Sequence, residues 1–460
     1  MARPALTARG QWLRIALALP PLVGIFLLGQ AILDGRAWRL DLTPERRYTL
    51  SERARTVLGT LEADVRVLAF LRAQDPRNPV IRDLLRQIRA RSPRVRVDVV
   101  DVNRSPALAR EYGVDSYGAL VVESGGRRRV FSNPREEVLI AAVLQVTRQQ
   151  RKTVAWVMGH GEGDLTSSDR QRGYATARAF LENEYYEVVP ISLLADGVPV
   201  GTAVVVVAGP AKDFLPEELE ALDRYLDRPG NALVMLDPLR APGLAKRLER
   251  FAVRLPADVV VDPGARLHGG EYVTMQVQAA RQPHPILAPL EAPPLFSLPR
   301  SIELPPSAPP GIATQVLLET GPESWATTDT SVLRTGEALF EPGRDRRGPI
   351  TVGAEIAFAT PVEPGVPPAQ GRLVVLGNAD FANNFFIEYL GNKDLFVNAV
   401  AWLARDPQAM GSRPSRQAPG VNQFFVSAEA ADRLFWLAAV AQPALFALVA
   451  VALAVRRRWS

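Results

Sequence analysis

Cysteine is absent from the 460 residues and histidine is scarce, with only His160, His268 and His284. The lack of cysteine excludes thiol nucleophiles, redox pairs and cysteine metal sites. A zinc site needs three or four ligands, and two of the three histidines lie in a proline-rich segment. We therefore expect no metal and no cofactor.

Several catalytic motifs are also missing. No Gly-x-x-x-x-Gly-Lys-Ser/Thr occurs, so the chain lacks the backbone cradle that binds phosphates in P-loop ATPases. We expect that it does not hydrolyse ATP itself. The absence of Gly-x-Ser-x-Gly weakens a serine-hydrolase interpretation. The net charge of +5 is spread along the chain, which excludes the basic stripe of a nucleic-acid-binding protein.

Two long uncharged runs occupy residues 15–33 and 434–455. Each is long enough, as a helix, to cross a bilayer. Arginines precede the first run and follow the second, so we predict cytoplasmic tails at residues 1–14 and 456–460. The body between the spans is then expected outside the inner membrane, in the periplasm. Two alternatives remain open: a cleaved signal peptide at the amino terminus, or two buried helices of a soluble core.

Residues 34–150 alternate between strand and helix patterns. The order is strand, helix, strand, helix, hairpin and helix, and Ser51 is placed to cap a helix that precedes them. This order of elements resembles a thioredoxin-like domain. The loop after the first strand has no Cys-x-x-Cys, so we expect a scaffold or binding domain without redox activity.

Residues 151–404 contain continuous apolar strands separated by amphipathic helices. This pattern predicts a doubly wound parallel sheet of flavodoxin-like or amidotransferase-like type, with a strand at residues 258–261 and a helix over about 383–403. An amidotransferase activity is excluded because the chain has no nucleophilic cysteine. We interpret residues 263–348 as a proline-rich insertion and residues 405–433 as a linker to the second span.

Polar residues follow several of the predicted strands. Ligands of doubly wound sheets bind at the carboxyl ends of the strands, so these residues are candidates for a binding site. A histidine beside a carboxylate can also bind a metal or transfer a proton, whereas the alternative is a structural turn. The candidate binding residues are Gly159, His160, Gly161, Glu162, Asp237, His284, Asn378 and Asp380.

Several segments occur in a fixed order along the chain: residues 41–52 after the first span, Gly159 to Glu162, residues 284–286, and residues 377–381 followed by 398–403. This order resembles that of the Gldg family of gliding-motility-associated proteins. The resemblance implies an extracytoplasmic auxiliary component of an ABC-type transport system, anchored in the membrane beside a separate permease and ATP-binding subunit. It implies no catalytic residues.

We therefore expect a non-catalytic auxiliary subunit that binds a partner or an extracytoplasmic ligand. One alternative is an extracytoplasmic hydrolase or metal-dependent enzyme that uses His160, Glu162 and Asp380. The other is a module that binds carbohydrate or peptide.

Overall fold

The computed structural model describes residues 49–72, 78–114, 116–132, 134–148, 150–263, 274–331, 339–359 and 370–411, together with Trp436. The first apolar run and His268 lie outside these residues, as does the second run except for Trp436. Within the part of the chain that the structure describes, no helix is both long and apolar enough to cross a membrane.

The first α/β region has the predicted order of elements. Ser51 caps the leading helix, because its Oγ accepts a hydrogen bond of 3.1 Å from the backbone N–H of Ala54. The elements are α1 (Glu52–Gly59), β1 (Val65–Leu71), α2 (Asn78–Arg91), β2 (Val95–Asp101), α3 (Pro106–Glu111), β3 (Ala119–Ser124), β4 (Arg127–Phe131) and α4 (Glu136–Thr147).

The strands of this region form a four-stranded sheet in the order β2-β1-β3-β4. β1 and β2 are parallel, whereas β3 is antiparallel to both β1 and β4. β1 is buried at six of its seven positions, because helices or loops cover both faces of the central strand. Leu68, Phe70 and Val121 pack against Ala109 of α3.

The second α/β region contains an eight-stranded sheet in the order β11-β13-β16-β17-β8-β7-β5-β6. Its strands are β5 (Lys152–Val157), β6 (Tyr186–Ile191), β7 (Thr202–Ala208), β8 (Asn231–Met235), β11 (Gln278–Ala279), β13 (Ile312–Glu319), β16 (Thr351–Ala359) and β17 (Gln370–Leu376). Five neighbouring strands, β6, β5, β7, β8 and β17, are parallel. Beyond β17, the strands β16, β13 and β11 each pair antiparallel with the strand before them. The sheet is therefore mixed, and the expectation of a parallel sheet holds only for its larger part.

Helices cover both faces of this sheet: α5 (Ala175–Asn183), α6 (Pro216–Leu226), α7 (Pro242–Leu248) and α8 (Asn392–Leu403). Leu181 of α5 and Phe396 of α8 pack with one set of alternating strand residues, which includes Trp156. Leu222 of α6 and Leu244 of α7 pack with the other set. Because side chains alternate along a strand, the two helix pairs lie on opposite faces, as in a doubly wound sheet.

Two smaller sheets arise from the proline-rich segment and its flanks. They contain β9 (Val259–Val261), β10 (Thr274–Gln276), β12 (Leu295–Ser297), β14 (Trp325–Thr327) and β15 (Arg346–Arg347). The strand expected at residues 258–261 does not join the large sheet. It pairs antiparallel with β14 instead.

The helix expected over residues 383–403 begins later, at Asn392. A short 3-10 helix, Asp380–Ala382, and a series of turns precede it. The reason is local competition for the backbone: the Asn383 Oδ1 accepts the N–H groups of both Phe385 and Phe386. A second helix also begins late: the sequence pattern predicts a helix over about 171–183, and α5 begins at Ala175.

Candidate functional site

The candidate site lies at the carboxyl edge of the parallel strands. The five parallel strands run in the spatial order β6-β5-β7-β8-β17, which is the 2-1-3-4-5 order of flavodoxin-like sheets. Such sheets bind ligands where the direction of winding reverses, here between β5 and β7. The loops after β5, β7, β8 and β17 all meet at this edge, because the four strands are parallel neighbours.

The loop after β5 makes a tight turn through two glycines. Gly159 has φ +127° and Gly161 has φ +80°, conformations that side-chain-bearing residues rarely adopt. A Cβ on Gly161 would also lie 2.9 Å from the Cβ of Ala211 in the loop after β7. The backbone N–H groups of Ala211 and Lys212 both donate to the carbonyl of His160, at 2.8 Å each.

His160 is buried between two glutamates. Its Nδ1 lies 3.0 Å from Glu162 Oε1 and its Nε2 lies 2.8 Å from Glu218 Oε2. The imidazole stacks on the ring of Phe214, with the centroids 3.9 Å apart. Glu162 accepts the backbone N–H of His160, and Glu218 accepts that of Leu215 at the start of α6.

These contacts occupy both ring nitrogens of His160. Both can donate to the carboxylates at once only when the ring carries both protons, and a ring in that state has no lone pair for a metal. The turn from Gly159 to Glu162 therefore joins the loop after β5 to the start of α6. Among the described residues, no group of three histidine or acidic side chains is placed to hold a metal ion.

Asp237 and Asn378 lie together at the ends of β8 and β17. Asp237 Oδ1 accepts the backbone N–H of Ala379 at 2.8 Å and the side-chain amide of Asn378 at 3.3 Å. The Asn378 amide also donates to Ser297 O, and its Oδ1 accepts the N–H of Phe381. Asn378 is thus a buried connector, whereas Asp237 is partly accessible.

Asp237 and Asp380 form an interacting carboxyl pair. Burial, and then the neighbouring Asp380 carboxylate, raise the pKa of Asp237 to about 7, against the opposing effects of the Ala379 N–H, Arg240 and Arg300. Burial also raises the pKa of Asp380, which a hydrogen bond from Asn383 partly offsets. Asp237 therefore exchanges a proton near neutral pH, so this pair can both donate and accept hydrogen bonds.

Tyr174 and Gly209 complete the surroundings of Asp237. The Tyr174 hydroxyl donates to Ala379 O at 3.0 Å, and burial together with Asp237 and Asp380 raises the pKa of Tyr174 well above its ordinary value. Gly209 has φ +60°, and a Cβ there would lie 3.1 Å from Asp237 Oδ2. The loop that carries Gly209 and Ala211 thus separates the Asp237 group from the His160 group.

His284 does not belong to this edge. Its Nδ1 accepts the backbone N–H of Ile286 at 3.2 Å, and its ring packs edge-on against Trp402, with the centroids 4.9 Å apart. Burial, and then the charge of Arg372, lower the pKa of His284 to about 4. The ring is therefore neutral at physiological pH and holds the turn that precedes Leu287.

The structure thus brings seven of the eight candidates to one edge, in two groups, and excludes His284. Three residues that contact these groups were not predicted from the sequence: Glu218, Phe214 and Tyr174. Glu218 is 58 residues from His160 in the chain, so no local motif could indicate their contact. Its position early in a predicted helix, after Pro216, indicated only a residue that caps the helix.

Fold and site together define an α/β protein whose polar loops converge on the carboxyl edge of a doubly wound sheet. The family described as "ABC-type uncharacterized transport system" (ABC_transp_aux) matches residues 151–399, which is more than half of the chain. The chain belongs to this family of auxiliary transport proteins. Residues 44–133 match a domain of unknown function, DUF7088. No curated protein matches the chain.

Several solved structures are similar to parts of the chain. The N-terminal domain of mmIFT52 shares 15% identity, with 55% of this chain and 97% of that one covered and a TM-score of 0.39. A putative ThuA-like protein from Bacteroides uniformis shares 13%, with 56% and 93% covered and a TM-score of 0.33. The thioredoxin Deadhead from Drosophila melanogaster shares 21%, with 18% and 82% covered and a TM-score of 0.17.

Proposed function

We propose that the chain is a membrane-anchored, extracytoplasmic auxiliary component of an ABC-type transport system and performs no catalysis itself. Its family supports the auxiliary role in transport. The uncharged runs at residues 15–33 and 434–455 support the anchoring, with both termini in the cytoplasm. The permease and the ATP-binding subunit are separate chains in this proposal, because the sequence has no P-loop.

One observation carries the non-catalytic part of the proposal, namely the environment of His160. A general base must present a free nitrogen to its substrate. Both nitrogens of His160 instead face the carboxylates of Glu162 and Glu218, and the ring is covered by Phe214. This arrangement supports a structural role for the turn over a hydrolase or metal-dependent enzyme.

Co-purification tests the transport role. The tagged full chain, extracted in detergent from its native membrane, is expected to carry a permease and an ATP-binding subunit that mass spectrometry identifies. A chain that purifies without either partner from cells that express both would contradict the proposal.

The topology has its own test, which uses the absence of cysteine. Leu194 follows β6 and is 59% exposed, so a Leu194→Cys chain carries a single accessible thiol. A membrane-impermeant maleimide is expected to label this thiol in cells with a permeabilised outer membrane. Labelling only after lysis of the inner membrane would place the body in the cytoplasm.

A second candidate function, the binding of a polar ligand, is favoured by the Asp237–Asp380 pair. A carboxyl that exchanges its proton near pH 7 at the ligand-binding edge suits sugar hydroxyls or peptide amides, which both donate and accept hydrogen bonds. Thermal shifts of the detergent-solubilised chain with panels of oligosaccharides and peptides test this candidate. A shift that persists unchanged in Asp237→Asn would locate the ligand elsewhere.

A further inference from the structure

The opposite, amino edge of the parallel strands carries a row of exposed side chains. Lys152 of β5 pairs with Tyr186 of β6, so Arg151 is level with Tyr185. On the other side of β5, Thr153 pairs with Thr202, which places Val200 level with Arg151. The row therefore crosses three adjacent strands at one height.

The same row continues across the sheet. Arg228 lies three residues before β8, and Arg405 donates through its guanidinium to the carbonyl of Gln370 at the start of β17. We call this row the amino-edge patch and define it as Arg151, Tyr185, Val200, Arg228 and Arg405. Its three arginines and its valine are exposed.

The chemistry of the patch is that of a protein surface at a membrane interface. Val200 is 97% exposed on a turn between Pro199 and Gly201, so its apolar side chain is almost uncovered by the described residues. The guanidinium of Arg151 lies 5.0 Å from the ring centroid of Tyr185, so a cation and an amphipathic ring share one spot. Arginine binds phosphate, and tyrosine is enriched at the level of lipid headgroups.

The arginines of the patch are available for an anionic partner. Among the residues that the structure describes, none of the ion pairs engages Arg151, Arg228 or Arg405. The ammonium of Lys152 donates to two carbonyls, those of Ala404 and Arg405 at the end of α8. The guanidinium of Arg405 donates to the carbonyl of Gln370 and has further N–H donors for a phosphate. The patch therefore carries three positive charges without a carboxylate in contact.

The position of the patch along the chain indicates that a membrane is the anionic surface nearby. After Arg405 the described chain continues through the 3-10 helix Pro407–Ala409 to Gly411. The apolar run that we propose as the second span begins at residue 434, only 23 residues further on. The patch thus lies beside the point from which the chain leads to the membrane.

We infer that the amino-edge patch rests on the anionic phospholipid headgroups of the membrane that holds the chain. The arginines bind lipid phosphates and Val200 enters the headgroup layer. The carboxyl edge with Asp237 and Asp380 then points away from the bilayer, towards an external ligand or partner. This inference rests on the proposed membrane anchoring.

Lipid-dependent quenching tests the inference on the full chain. Val200→Cys, labelled with an environment-sensitive fluorophore, is reconstituted in nanodiscs of phosphatidylcholine with or without phosphatidylglycerol, both containing spin-labelled lipid. Quenching is expected with phosphatidylglycerol and is expected to fall as salt is added. Each arginine removed in the series Arg151→Gln, Arg228→Gln and Arg405→Gln is expected to weaken docking roughly fivefold. Quenching that ignores lipid charge, salt and these substitutions would overturn the inference.

A matched control removes three positive charges from the opposite edge. Arg170→Gln, Arg172→Gln and Lys212→Gln alter exposed residues of the carboxyl-edge loops and are expected to leave the Val200 signal unchanged. A label at Leu194→Cys, also on a carboxyl-edge loop, is expected to remain unquenched. Equal loss of signal in the two triple variants would also overturn the inference.

Alkaline carbonate extraction separates this inference from the proposal beneath it. If the chain leaves the membrane in carbonate, the anchoring fails. If the chain stays but the Val200 label is not quenched, only the docking fails. Quenching that appears only when a permease is co-reconstituted would assign the patch to a protein partner and overturn the lipid assignment.

Discussion

Asp237 makes the stability of the protein depend on pH. Burial and Asp380 raise its pKa to about 7, whereas an unfolded chain returns it to about 4. The folded state therefore binds more protons than the unfolded state between these values, so this contribution to stability is lost as pH rises from about 4 to about 7. For a partly accessible group we expect a loss on the order of 2 kcal/mol.

Asp237→Asn removes the titration while it keeps an acceptor for the Ala379 N–H. We expect the variant to gain stability relative to the parent as pH rises through this window. Denaturant unfolding of the detergent-solubilised chains at pH 4.5, 6 and 7.5 measures the difference, with the exposed Asp98→Asn as the control. Parallel stability curves for Asp237→Asn and the parent would contradict the assignment.

His160 distinguishes a structural turn from an enzyme. His160→Ala removes the ring that bridges the buried carboxylates of Glu162 and Glu218 and takes a hydrogen-bond partner from each, which we expect to cost about 3 kcal/mol of unfolding free energy. Adding Glu218→Gln to His160→Ala is expected to recover part of this loss, because one of the two charges is then removed. An enzyme would instead lose activity with an unchanged unfolding temperature.

At the scale of elements, apolar runs predict where strands and helices lie. They do not predict the bounds and pairings that depend on polar hydrogen bonds or on distant strands. The sequence pattern predicts strands at residues 154–158 and 203–208 and a helix at 216–226. β5, β7 and α6 lie within two residues of these bounds, because buried parallel strands and an amphipathic helix have clear patterns. The strand predicted at residues 258–261 was assigned to the wrong sheet, because an apolar run does not indicate which strand it pairs with. The late start of α8 depends on hydrogen bonds of Asn383 with the following turn, which periodicity does not show.

Gly209 tests how tightly the loop after β7 fits the carboxyl edge. Gly209 and Gly197 have nearly equal φ angles, +60° and +63°. A Cβ at Gly209 would contact Ala379 and Asp237, whereas a Cβ at Gly197 would lie in open space. Gly197→Ala therefore measures the backbone strain alone, about 1 kcal/mol. Gly209→Ala is expected to cost a further 1–3 kcal/mol or so for overpacking. Equal losses of unfolding free energy in the two variants would mean that the loop has room to move.

At the scale of the whole molecule, ion pairs join the two α/β regions. Arg53 of α1 donates to Glu184 Oε2 from Nε at 2.9 Å and from Nη2 at 2.5 Å, with both side chains buried. Arg148 donates from Nη2 to Asp406 Oδ1, and Asp406 Oδ2 accepts a hydrogen bond from the hydroxyl of Tyr186. These links cross more than 130 residues of sequence, so composition and periodicity could not reveal them. They attach the four-stranded sheet to the larger one.

Arg53→Ala tests this coupling, because it removes the guanidinium that binds the buried Glu184 carboxylate through two N–H groups. We expect it to cost about 3–5 kcal/mol and to release the four-stranded sheet first. Hydrogen exchange of the full chain should then accelerate at the amides of β1 and β3 while those of β7 stay protected, since the core of the large sheet does not involve Arg53.

Arg66→Ala is the matched control. It breaks the ion pairs with Asp98 and Glu123 on the surface, which are worth at most about 1 kcal/mol. Equal acceleration in both sheets would show that the two regions unfold as one unit. It would contradict the expectation that loss of this ion pair releases the four-stranded sheet first.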